Sequence, residues 1–130
     1  MATTHPQSTI QMYESRTARN RQLNTENGSY NFPMQFLSLS RRRTDAFPPE
    51  AFTTELAARE TQRVKELYAA GLLRQVWKRG DLPGAAILWE AASEAEVRAA
   101  LDSLPINQAG MLEVMFLVPL APYPGFCPAQ

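Results

Sequence analysis

The sequence predicts an α+β domain of the split βαβ, ferredoxin-like type, in which a four-stranded antiparallel sheet carries both helices on one face. Three observations support this. The apolar pattern from Met34 onward reads strand–helix–strand twice over. The second and third strands are separated only by the turn "GDLPG". The closing strand, "MLEVMFLVPL", is almost wholly apolar, as a sheet member with two covered faces should be.

Taken in order, residues 1–33 hold scattered apolar side chains among many Thr, Asn, Gln and Ser, too few to offset the entropy of ordering them. They are expected to form a flexible leader, with Ile10, Met12, Tyr13 and Leu23 as its only possible anchors. The domain is expected over residues 34–120 and a short tail over 121–130. "MQFLSLSRR" alternates, with Phe36, Ser38 and Ser40 on one face and Leu37 and Leu39 on the other. A helix is expected from about Pro49, suited to a first turn, to Ala70, with Gly71 as its C′ residue. "LLRQVWKR" and "AAILWEA" are strands. Ser93 followed by Glu96 forms a capping box for a short helix with Val97, Ala100, Leu101 and Leu104 on one face, ended by Pro105. The last strand is expected to close at Pro119.

Two helices cover one face of such a sheet. The strands carry apolar residues on both, so the bare face needs a cover. A second copy, packed sheet against sheet in a dimeric α+β barrel, is the simplest, and a homodimer or higher homo-oligomer is expected.

Composition removes several functions. Thirteen basic and thirteen acidic residues cancel, leaving no electrostatic footprint for nucleic acid or a membrane surface. No apolar run is long enough to span a bilayer and no signal peptide is apparent, which with the single cysteine suggests a cytoplasmic protein. The one histidine, His5, lies in the leader and the one cysteine, Cys127, lies near the end. A zinc site, a histidine base or a Ser–His or Cys–His dyad therefore cannot be built in the body of the domain. Gly-rich phosphate loops are missing. No metal and no cofactor is expected, and the partner is a small molecule.

One misplaced carboxylate remains. On a helix at ~100° per residue, with Phe52 at zero, Leu56 falls near ~40°, Leu67 near ~60°, Val64 near ~120° and Glu60 near ~80°. Glu60 thus sits in the middle of the apolar arc. It is either a desolvated acid suited to proton transfer or one half of a structural ion pair. Along the second strand, alternation sets Arg74 and Lys78 on one face and Gln75 and Trp77 on the other, so one pair only can share a cavity with Glu60. A cation there could hold a substrate carboxylate. Trp89 is core or pocket lining. Glu113, in an apolar strand, is a candidate for pairing across an interface, and Arg41–Arg43 read as a solvated strand end.

The stretches "MQF", "ARETQRVKEL", "AAGLLRQVWK", "LDSLP" and "VPL" resemble the muconolactone delta-isomerases, small cofactor-free oligomeric enzymes, over about residues 34–120. The resemblance places the family's catalytic acid on Glu60 and implies an isomerase or cyclase that moves a proton next to a carbonyl. It makes Arg74, Gln75, Trp77, Lys78 and Trp89 candidates for substrate binding. Gln75 stands where the family carries histidine, "GAAILWEA" is more apolar than its counterpart, acidic residues are missing from "VMFLVPL", and "INQAG" is longer. A larger, more hydrophobic lactone or polyketide-like substrate, as in secondary metabolism, is the expectation. A cofactor-independent monooxygenase and a non-catalytic ligand-binding oligomer are the alternatives.

Overall fold

Sixteen residues of α1 (Thr54–Ala69) lie across a sheet whose first strand, β1 (Met34–Arg42), occupies an inner position. The remaining elements are β2 (Leu73–Lys78), β3 (Ala85–Ala91), α2 (Glu94–Asp102), a one-turn α3 (Pro105–Gln108) and β4 (Leu112–Leu120). This computed structural model describes residues 33–126. Residues 1–32 of the anticipated leader and residues 127–130 of the tail, Cys127 among them, lie outside the described residues. The sheet order is β2-β3-β1-β4 and every pairing is antiparallel. This is the split βαβ topology, ferredoxin-like, since β3 is inserted between the parallel strands β1 and β2 that α1 connects. Among the described residues no helix is long and apolar enough to cross a membrane.

Local chemistry explains the boundaries. Pro49–Ala51 form a separate 3-10 turn, and α1 starts only at Thr54, because the Thr53 side chain accepts the Leu56 N–H at 3.1 Å and caps a new helix. The single helix expected from Pro49 is therefore two pieces, with Phe52 left between them. At the other end Gly71 takes φ 81°, and the Leu72 N–H reaches back to the Leu67 carbonyl, a Schellman closure. Ser93 accepts the Glu96 N–H at 3.2 Å, and the Glu96 carboxylate accepts the Ala92 N–H in return. Pro119 lies inside β4 instead of closing it, tolerated because β4 is an edge strand.

Phe36, Leu67, Leu73, Trp89, Val97 and Leu101 fill the core between helices and sheet. Trp89 is fully buried and its indole N–H donates to the Ser38 hydroxyl at 2.8 Å, which explains a serine at the centre of an apolar strand face.

Two bulges revise the expected alternation. Leu73 pairs with Trp89 and Gln75 with Leu88, so Arg74 is an extra residue in β2. Likewise Phe116 pairs with Leu39 and Val114 with Ser40, so Met115 is extra in β4. Each bulge turns two successive residues to the open face. Arg74, Gln75 and Trp77 lie there, and Arg74 approaches Glu90 at 4.0 Å. The expected sharing of a face by Arg74 and Lys78 is thus corrected: beyond the buried Leu73, it is Val76 and Lys78 that turn toward the helices, opposite Ile87 and Ala85. In β4 the inward set is Leu112, Val114 and Leu117, where unbroken alternation from Leu112 would place Phe116.

The open face carries Leu37, Leu39, Trp77, Phe116, Val118 and Leu120; Trp77 and Phe116 are at least half exposed. Glu113 pairs within the chain, with its register partner Arg41 at 2.7 Å.

At the β2–β3 turn Gly84 answers a close approach. A Cβ there would run into the Ser40 carbonyl oxygen, and backbone cannot yield as a side chain would. Gly84→Ala is expected to destabilise by roughly 1–3 kcal/mol, as overpacking does, read as a lower urea midpoint at unchanged slope.

Candidate functional site

The sheet has a filled end and an empty one. Phe36, Leu73 and Trp89 occupy the space under the helices at one end. At the other, the floor is built from Ser40, Gly84 and Ala85, whose small side chains leave room beneath α1. The resulting cavity has a volume of about 390 Å³ and is open to solvent on one side. Val64, Val76, Ile87, Leu104, Ile106 and Leu112 give it apolar walls; Glu60, Arg42 and Lys78 supply its charges. Such a lining, mostly apolar with a few converging polar groups, is that of a small-molecule site.

Glu60 reaches the cavity because it lies one turn before Val64 on α1 and two turns before the buried Leu67. Among the described lining residues it is the sole carboxylate. One of its oxygens, Oε1, accepts the Ile106 N–H at 2.9 Å. That contact exists because "INQAG", too long for a simple loop, folds into α3. Leu104 at its N-cap has no side-chain acceptor to offer, and Glu60 fills that role from α1. Burial raises the Glu60 pKa above the ordinary glutamate value, while the Ile106 N–H and then the charge of Arg42 pull it back. The half-buried Glu60 makes no ion pair among the described residues. Glu90 is also raised by burial, but lies on the other face of the sheet, so a raised pKa alone does not mark the site.

Of the candidates read from sequence, Glu60, Trp77 and Lys78 border the cavity. Lys78 turns inward, whereas Trp77, paired with Ala86 and half exposed, belongs to the rim. Arg74 and Gln75 lie on the open face, separated from Glu60 by the sheet. Trp89 is held in the core and does not line the cavity. Ser40 does, but its hydroxyl is engaged at 3.3 Å with both the N–H and the carbonyl of Ala85, which leaves it a structural tie.

Sequence reasoning missed Arg42. The run Arg41–Arg43 is not a uniform solvated end. Arg41 bridges Glu113 and Asp45, and Arg43 donates to the Gly110 carbonyl and lies over Phe47. Arg42, inward by register opposite Leu112, lines the cavity with its guanidinium over the Phe52 ring at 5.5 Å. The signal was present: Phe36, Ser38, Ser40 and Arg42 continue one period-two series.

No curated protein matches the chain. The family model of the muconolactone delta-isomerases matches residues 34–125, the whole of the sheet, the helices and the cavity between them. With that match spanning most of its length, the chain belongs to the muconolactone delta-isomerase family, a family of isomerases.

Proposed function

We propose that this protein is an isomerase or cyclase that moves a proton between two carbons conjugated with a carbonyl, with Glu60 as the base. The observation that carries this reading is the lone, half-buried Glu60 carboxylate in an apolar cavity. Burial raises its pKa above the ordinary glutamate value, which makes it a stronger proton acceptor than an exposed carboxylate. In the reaction the carboxylate takes a proton from an acidic C–H, and the C–H electron pair shifts the double bond and charges the carbonyl oxygen. The same carboxyl then returns the proton to a different carbon. Nothing is oxidised or reduced, so no cofactor is called for. The aliphatic walls suit a lactone or polyketide-like substrate more hydrophobic than muconolactone.

Incubation in D2O with muconolactone and a series of alkyl- and aryl-substituted butenolides tests the reading. Isomerised product is expected, carrying deuterium at the carbon that receives the proton wherever the Glu60 acid exchanges with solvent before returning it, with better turnover for the more apolar members. Oxygen uptake without exchange would instead identify an oxygenase. The Ile106 N–H bond supports one further reading, in which Glu60 is only the cap of α3 and the cavity binds a ligand without chemistry. Absence of both product and exchange across the series decides for it.

The same proposal includes assembly. The exposed apolar stripe of Leu37, Trp77, Phe116 and Val118 on the open sheet face is covered by a second copy. Light scattering at micromolar concentration is expected to give a dimer or larger, and Phe116→Lys to shift it toward monomer.

A further inference from the structure

Most cations near the sheet are already paired. Arg79 makes a fork with Asp81, Arg63 binds Glu66 and Ser103, and Arg41 bridges two carboxylates. Arg42 and Lys78 differ. Both line the Glu60 cavity, and neither has a carboxylate within ion-pair distance among the described residues. They also line the adjoining depression under the β2–β3 turn.

The two are not equivalent. Arg42 sits on an inner strand, its backbone N–H held by the Pro83 carbonyl at 2.9 Å. Its guanidinium lies over the Phe52 ring at 5.5 Å, and among the described residues the guanidinium N–H groups donate to no carboxylate or carbonyl. Lys78 is exposed at the end of an edge strand, on a flexible stem. A group that stabilises charge appearing during a reaction is most effective when already fixed in place.

We propose that Arg42 is the cation that receives the negative charge on the substrate oxygen, making this cavity a site for enolate- and phenolate-type oxyanions. The assignment rests on the proton-transfer reading of Glu60. As the carboxylate takes the proton it loses its charge, and the charge reappears on the carbonyl oxygen. A fixed guanidinium on the same cavity meets that transfer at its receiving end. Arg42 and Glu60 line the same cavity, so one small molecule held there can meet both.

4-Nitrophenol tests this without a substrate, because its ionised form mimics an enolate oxygen and absorbs at longer wavelength than the neutral form. It is titrated into the full chain at about one pH unit below its solution pKa. In Glu60→Gln, which mimics the protonated base, the bound form is expected to be the phenolate. Arg42→Met in that background should weaken binding by roughly tenfold or more, as loss of a charged hydrogen bond does, and remove the phenolate band. Arg42→Lys should restore part of it, and Lys78→Met should change it less than Arg42→Met. If Arg42→Met does not melt cooperatively, Arg42→Gln is the deciding variant. Neutral bound nitrophenol in Glu60→Gln overturns the proposal, as do absence of saturable binding and a band that depends on Lys78 instead of Arg42. The two assignments fail separately. A phenolate band dependent on Arg42, with turnover indifferent to Glu60→Gln, keeps the oxyanion site and ends the base; lost turnover with no such band does the reverse.

Discussion

Glu60→Gln is expected to lower turnover by ~10²–10⁴, the contribution of a positioned general base, while leaving the fold intact or slightly more stable. The glutamine oxygen can still accept the Ile106 N–H, so α3 keeps its cap. Only the capacity to take a proton is lost. Stability depends on the direction of the pKa shift. Burial holds the folded-state pKa of Glu60 above its unfolded value of about 4.5, so the folded protein binds this proton more tightly. Its contribution to stability is therefore full below the unfolded pKa and is lost as pH rises through the folded one. Glu60→Gln removes that loss, so its melting temperature, relative to the parent, should improve as pH is raised through this window. Glu60→Ala behaves differently, because it leaves the Ile106 N–H without its acceptor at a cost of roughly 1–3 kcal/mol. Turnover by Glu60→Gln equal to that of the parent, with stability lost, would show that the carboxylate is a structural group.

Trp89→Ala is expected to cost about 3–5 kcal/mol, within the range for emptying a core aromatic site. For a domain with typical stability of about 5–15 kcal/mol, that removes a large part of the total. Trp89 is wholly buried, and its removal also strips the Ser38 hydroxyl, itself 1 % exposed, of its partner. Trp89→Phe separates the two effects. It keeps most of the volume and loses the hydrogen bond, at roughly 1–3 kcal/mol, and adding Ser38→Ala should recover part of that loss because the two sites are coupled. Urea midpoints of the three variants check this series. If Trp89→Phe instead unfolds like the parent and alters ligand binding, the tryptophan belongs to the cavity and not to the core.

The order of elements, the helix caps at Ser93 and Gly71, the faces of β1 and the place of Glu60 were all legible in the residues alone. Each depends on local periodicity or on side chains a few residues apart, which act the same way in any tertiary setting. The set of cations that join Glu60 was settled by folding. One extra residue at Arg74 reverses the facing of every later residue in β2, so alternation counted through that point grouped Arg74 with Lys78. A bulge arises from pairing with another strand and leaves no mark in hydropathy. Trp89 and Trp77 show the same limit: both are aromatic strand residues, yet one faces the core beside Ser38 and the other the open side. Glu60 gained its Ile106 partner across 46 positions of sequence, from a helix of one turn whose periodicity is too short to read. The facing of Arg42 follows from the period-two series of β1, but its separate role does not, since three successive arginines look alike until cross-strand partners and the ring of Phe52 hold them apart.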